Sequence, residues 1–225
     1  MPEENTGLIA PATGLTIASA FNSQFNAEDF RVPRLNCIQK MSEIKGTPGE
    51  LVLDRKSAIV RAGNKLPVTI VSIAKSWTEK VPFDSEYTPR VVRNFDEVAD
   101  LKASSNYDII PRADIVLLVP HDPVNTSIDD EEAAELFPFA IGENVYQLAS
   151  LTVQSFAYDY TFKIVNSFHV GNPGVGLQDL VWNLSATLIE RGKYSWYAPV
   201  LGRTTQKTPE DVLTFVNRLV NGGGQ

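Results

Sequence analysis

Runs of β-branched and aliphatic residues, separated by turn residues, constrain the fold of this chain more than any other feature. Residues 68–77 read VTIVSIAKSW and residues 113–120 read ADIVLLVP, and both have the length and composition of strands. Neither approaches the roughly 18 apolar residues that a membrane helix needs, so we expect no membrane partner. Residues 180–189 and 194–201 are two further strand candidates. Arg191-Gly192-Lys193 lies between them and predicts a hairpin.

Helical patterns are fewer and are clearest at the carboxyl end. Residues 209–221 carry apolar residues three and four apart, begin with Pro209 and stop at Gly222, which predicts a terminal helix. Short helices are predicted at 96–103 and at 129–137. Residues 157–168 fit either the alternation of a strand or one face of a helix, and we favour the helix.

These elements predict a mostly β protein with helices, of the α+β class. We expect an arm at residues 1–27, one β-rich domain with a C-terminal helix at 28–221, and a glycine-rich tail at 222–225.

Motifs of catalysis and cofactor binding are missing from the sequence. Cys37 is the only cysteine, and His121 and His169 lie far apart without ligand spacing, so we expect no disulfide and no metal site. The sequence has neither a nucleophile elbow nor a phosphate-binding glycine loop. We therefore expect no enzyme activity and no cofactor.

The charge is unevenly distributed along the chain. The net charge is −7, and residues 113–225 hold all of this excess, with 13 acidic and 6 basic residues. Between Asp114 and Asp179 the only basic residue is Lys163. A polyanionic partner is therefore expected to avoid this middle segment.

Two segments interleave basic and aromatic residues, as single-stranded nucleic acid binding requires. Aromatic faces stack bases, while lysine and arginine contact phosphates. The first segment is Lys75–Phe83, followed by Tyr87, Arg90 and Arg93, and the second is Arg191–Tyr197. The stacking candidates are Trp77, Phe83, Trp182, Tyr194 and Trp196, and the phosphate-binding candidates are Lys75, Lys80, Arg90, Arg93, Arg191 and Lys193. The alternative is that the rings pack in a core and the basic residues face solvent.

The order of these segments resembles a family of tailed-bacteriophage single-stranded DNA-binding proteins. The similar parts are residues 29–42, the turn Gly46-Thr47-Pro48-Gly49, the strand ending at Trp77, the strand around Trp182, residues 192–199 and the terminal helix. The resemblance implies an OB-like antiparallel β-barrel with helical decoration and a groove lined by aromatic and basic side chains. Members often end in an acidic tail that recruits partners, whereas this chain ends in Asn221-Gly-Gly-Gly-Gln225.

The leading hypothesis is therefore sequence-independent binding of single-stranded DNA by a homo-oligomer that acts in replication or recombination in the host cytoplasm. The alternative is a structural or assembly protein of the virion, which the arm, the glycine-rich tail and the many loops favour. An enzyme whose site has no motif is a third reading.

Overall fold

The computed structural model describes residues 32–82, 85–126 and 128–221. The predicted arm at 1–27, the tail at 222–225 and Phe83 lie outside the described residues. The strands are β1 (Leu35–Cys37), β2 (Leu51–Leu53), β3 (Ser57–Val60), β4 (Leu66–Glu79), β5 (Val91–Val92), β6 (Ile109–Pro120), β7 (Phe139–Ile141), β8 (Asn144–Gln154), β9 (Leu180–Arg191) and β10 (Tyr194–Lys207). The helices are α1 (Glu97–Ser104), α2 (Asp130–Leu136), α3 (Ser155–Tyr160), α4 (Phe162–Gly171) and α5 (Glu210–Asn221), and a 3-10 turn spans Leu177–Asp179.

Two antiparallel sheets contain these strands. The larger sheet has the order β10–β9–β4–β6–β8–β7, and β5 pairs with the end of β4. The smaller sheet has the order β1–β2–β3. The α+β prediction is confirmed, and so are the hairpin of β9 with β10 and the terminal helix. Among the described residues no strand pairing closes the larger sheet, so the OB-like barrel stays a prediction.

β4 is the strand around which the larger sheet bends. It pairs with β6 along one edge, while its other edge is shared by β9 at Leu66–Thr69 and by β5 at Trp77–Thr78. The register with β6 shifts between Ile70 and Ser72, which is a bulge that bends the strand. The bulge lets Ile70 and Ile73 both pack into the main core, although an unbroken alternation would point them to opposite faces.

The inner face of the larger sheet carries the main hydrophobic core. The smaller sheet, α2, α3 and α4 pack against this face, and the core includes Leu51, Leu117, Leu151, Val165 and Leu184. The two sheets therefore share one core.

The outer face of β6 and β8 is divided into an apolar half and a polar half. Val116 and Leu118 of β6 lie with Leu148 of β8 under α5, which contributes Val212 and Val216 to a second core. These α5 residues belong to the stripe seen in the sequence, and the pairing of Leu118 with Leu148 gives that stripe an apolar surface to cover.

Helices α3 and α4 follow β8, which confirms the helical reading of residues 157–168. The chain leaves β8 at Ser155, whose φ of 51° turns it sharply into α3. Thr161 separates the two helices. Its fully buried hydroxyl donates a hydrogen bond to the Pro199 carbonyl over 2.6 Å, which ties this helical segment to β10.

Candidate nucleic-acid interface

The polar half of the outer face forms a groove at the end of β6 and β8 that α5 leaves uncovered. Arg112 pairs with Gln154 and Asp114 pairs with Thr152, so these side chains continue the row that begins with Leu118 and Leu148. The cavity has a volume of about 520 Å³ and also includes Arg34 at its edge. We call it the outer groove. Its charged lining residues are Arg34, Lys80, Arg112 and Glu79.

Arg112 is held in one orientation within the outer groove. Its Nη2 lies 2.9 Å from Oδ1 of Asp114, and the Thr152 hydroxyl donates to the same oxygen over 2.6 Å. The Asp114 side chain is 8% exposed, whereas that of Arg112 is 26% exposed. Nε of Arg112 also bonds this oxygen, over 3.3 Å, so the buried carboxylate fixes the guanidinium while Nη1 has no partner among the described residues and can meet an anion or the edge of a base.

A second group of side chains surrounds the tip of the β9–β10 hairpin. The Trp196 ring lies 5.2 Å from the ring of Phe156 in α3, and the Arg191 guanidinium lies 4.9 Å from the centre of that Phe156 ring. Tyr194 is 65% exposed, and the Lys193 ammonium lies 5.3 Å from its ring centre. These five residues form the hairpin-tip cluster, in which cations and aromatic faces alternate at the surface.

The hairpin-tip cluster adjoins the outer groove through consecutive residues of α3. Ser155 lines the groove and Phe156 belongs to the cluster. Lys40 also approaches the cluster, because its ammonium bonds the hydroxyl of Ser195 over 3.0 Å. Basic side chains and exposed rings therefore follow one another from the groove to the hairpin tip.

The first basic–aromatic segment is only partly joined to this surface. Lys80 lines the outer groove, as do Thr78 and Ile110, which pair across β4 and β6. Trp77 does not line the groove, and it shares a face of β4 with Lys75 and with Ile73, which packs against the main core. There the Lys75 ammonium lies 4.8 Å from the Trp77 ring centre, and Phe95 packs edge-on at 5.6 Å.

Trp182 was expected to stack bases, and the structure contradicts this role. Its side chain is fully buried in the main core, its ring packs edge-on against Phe168 at 5.5 Å, and its Nε1 donates to the Leu177 carbonyl over 2.9 Å. The residue before it, Val181, is also buried. Both faces of β9 are therefore covered at this point, and the Trp182 ring has no side open to solvent.

Arg90 was expected to hold a phosphate, and its guanidinium is already occupied. Nη2 and Nε lie 2.7 and 3.0 Å from Oε1 of Glu79, and Nη1 donates to the Ser104 hydroxyl over 3.1 Å. The Ser105 hydroxyl donates to the same Oε1 over 2.6 Å. The pKa of Glu79 is lowered to about 2, mainly by the hydrogen bonds from Arg90 and further by the one from Ser105. Arg90 therefore anchors the long β4–β6 connection to the end of β4.

Arg93 and Phe83 are the two predicted residues that remain. Arg93 is exposed directly after β5, with no hydrogen bond or ion pair to another described residue. Phe83 lies outside the described residues. Lys80, Arg191, Lys193, Tyr194 and Trp196 are thus the predicted residues that lie at the outer groove or the hairpin-tip cluster.

Sequence reasoning missed Arg34, Arg112, Gln154 and Phe156, which line the groove or complete the cluster. A signal for β8 was present, since its polar residues alternate with Ala149, Leu151 and Val153. Such alternation indicates a face that meets water. Arg34 and Phe156 reach the site only through tertiary structure, and the sequence near them carries no pattern that points to it.

Over the described ranges, no group of three His, Cys, Asp or Glu side chains is arranged to hold a metal ion. In the same part of the chain, no helix has the length and apolarity to cross a membrane. Burial raises the pKa of the Cys37 thiol to about 12.

Comparison of the chain with protein-family models, with curated proteins and with solved structures found no match. The resemblance to phage single-stranded DNA-binding proteins therefore stays a prediction.

Proposed function

We propose that this protein binds single-stranded DNA without sequence preference, along the outer groove and the hairpin-tip cluster. The observation that carries the proposal is the contiguity of these two surfaces through Ser155 and Phe156. Exposed rings offer stacking faces worth about 1–3 kcal/mol per base, and the basic residues beside them contact phosphates. Arg112 is fixed before any ligand arrives, which lowers the entropy that binding must overcome.

The strand order supports an OB-like barrel as the frame of this interface. β4 pairs with both β6 and β9, and α3 and α4 connect β8 to β9, as in a five-stranded Greek-key barrel with a helix after its third strand. In such barrels oligonucleotides lie on the second and third strands, between the loops after the first and fourth strands. The corresponding parts of this chain are β6 with β8, the connection that carries Lys80, and the turn at Lys193.

The gap between β8 and β10 is bridged by the segment that contains β1. Arg34 forms a parallel bridge with Ser150 of β8, and the Gln39 side chain exchanges hydrogen bonds of 2.8 Å with the backbone N–H and carbonyl of Tyr197 in β10. This segment is our proposed closure of the barrel. It also supplies Arg34 to the outer groove.

A salt titration tests the proposal directly. Binding of an oligothymidine of about 20 nucleotides is followed by tryptophan fluorescence at several salt concentrations, and a binder is expected to weaken steeply, with a logarithmic slope near 0.7 per phosphate contacted. Replacing both Arg191 and Lys193 by glutamine is expected to lower the slope by about 1.4. The matched control is Arg218→Gln, an exposed arginine of α5, which should leave the slope unchanged. Weak binding at low salt that does not respond to salt would refute the proposal.

A role in phage replication or recombination, in the host cytoplasm and as a homo-oligomer, is the biological setting that the resemblance implies. The alternative of a virion structural or assembly protein rests on the arm and the tail, which lie outside the described residues. Size-exclusion chromatography with light scattering separates the two, because a small oligomer is expected for the binder and a large particle for an assembly protein.

A further inference from the structure

A second concave surface lies on the smaller sheet, beside the outer groove. Three basic side chains, Lys45, Arg55 and Lys56, line a cavity of about 440 Å³ together with Ile44 and a single acid, Glu43. Lys45 comes from the β1–β2 connection, and Arg55 and Lys56 come from the tight turn between β2 and β3. Lys45, Arg55 and Lys56 form no side-chain hydrogen bond or ion pair with any described residue. All three side chains are exposed.

Two hydrogen bonds between Arg34 and Asp54 connect this basic cavity to the outer groove. The Arg34 N–H donates to Oδ1 of Asp54 over 2.8 Å, and the Asp54 N–H donates to the Arg34 carbonyl over 2.8 Å. Arg34 lines the groove, and Arg55 follows Asp54 directly. The two basic surfaces are thus adjacent.

Arg55 has a left-handed backbone conformation, which residues with a side chain rarely adopt. Asp54 and Arg55 have φ values of 42° and 66°, and the Lys56 N–H donates to the Leu53 carbonyl over 2.9 Å, which is the geometry of a type I′ turn. Glycine usually occupies the second central position of such a turn, because a side chain there is strained. Asp54 serves the fold through its bonds to Arg34, whereas Arg55 makes no such contact among the described residues.

Acidic helix α2 does not close this cavity from the other side of β3. Oε1 of Glu132 accepts a hydrogen bond from the Ser57 hydroxyl over 2.5 Å. This hydrogen bond engages Glu132 at the start of β3, and no described residue of α2 lines the cavity.

We infer that Lys45, Arg55 and Lys56 form a second phosphate-contact site, which extends the bound DNA strand from the outer groove onto the smaller sheet. The inference rests on the proposed function, and it names the phosphodiester backbone of the same strand as the ligand. A strand long enough to leave the groove past Arg34 meets these three cations, whereas a short strand does not.

The test compares oligothymidines of roughly 8 and roughly 24 nucleotides, which lie below and above the site sizes of single OB folds. In the triple variant Lys45→Gln, Arg55→Gln, Lys56→Gln, we expect affinity for the long strand to fall about tenfold at low salt and its salt slope to fall by about 2. Affinity for the short strand should stay within about twofold of the parent. Lys65→Gln is the control, because this exposed lysine makes no side-chain hydrogen bond or ion pair with the residues that the structure describes.

Arg55→Gly tests whether weaker binding could come from misfolding. Because glycine suits the left-handed backbone, this variant should melt no lower than the parent. It should still bind the long strand more weakly. If the parent binds both strands and the triple variant binds the long one equally well, the second site is refuted and the proposed function stands. If the parent binds neither strand, the proposed function fails and this inference fails with it.

Discussion

Replacing Trp182 by alanine is expected to lower the free energy of unfolding by about 3–5 kcal/mol, because the indole is fully buried. An indole removes roughly 150–250 Å² from water on folding. At about 25 cal/mol/Å² this area corresponds to roughly 4–6 kcal/mol, and residual burial in the unfolded chain reduces the figure. Loss of the Nε1 hydrogen bond to Leu177 adds about 1 kcal/mol to the cost.

The measurement is urea unfolding, with the midpoint and the slope both fitted for the parent chain, Trp182→Ala and Trp182→Phe. The phenylalanine variant keeps a ring against Phe168 and loses the indole donor, so we expect a cost of only about 1–2 kcal/mol with an unchanged slope. Because Trp182 is not at the surface, folded Trp182→Phe should bind oligothymidine as the parent does. A more than fivefold loss of DNA affinity at unchanged stability would refute the assignment of Trp182 to the core.

Three further predictions follow from the site and its surroundings. Trp196→Ala should weaken oligothymidine binding by about 5- to 150-fold, equivalent to 1–3 kcal/mol of stacking, without a comparable loss of stability in urea. The pKa of Glu79, which the hydrogen bond from Arg90 lowers from 4.5 to about 2, makes the fold lose stability as pH falls from about 4.5 towards 2, and Glu79→Gln should flatten melting temperature over that interval. Burial raises the pKa of Cys37 to about 12, so its alkylation at pH 8 should be far slower than that of a free thiol and should accelerate in urea.

Strand and helix positions followed from local pattern, since apolar periodicity is a property of neighbouring residues. Predicted strand 68–77 corresponds to Leu66–Glu79, and the predicted terminal helix corresponds to Glu210–Asn221. The sequence of residues 144–156 also alternates like a strand, but β8 ends at Gln154. The chain turns at Ser155, whose left-handed backbone has no signature in the sequence.

The site was predicted less well than the fold, because burial and pairing are decided by tertiary contacts. Trp182 and Trp196 look alike in sequence, yet the 3-10 turn and α4 cover the first, while the second lies near the hairpin tip. Arg90 carries the same charge as Arg191, but a buried carboxylate eleven residues earlier in the chain engages it. Pattern alone could not separate the members of either pair.

The division of the outer face into two halves has a consequence for how the chain can vary. A slip of β6 by two residues would place Asp114 beneath α5 and leave Leu118 uncovered. The apolar end of β6 therefore fixes the register in which Arg112 lies opposite Gln154 of β8. Substitutions among the groove side chains leave that register intact. The polar end of the outer face can therefore change its side chains while the apolar end keeps β6 in register.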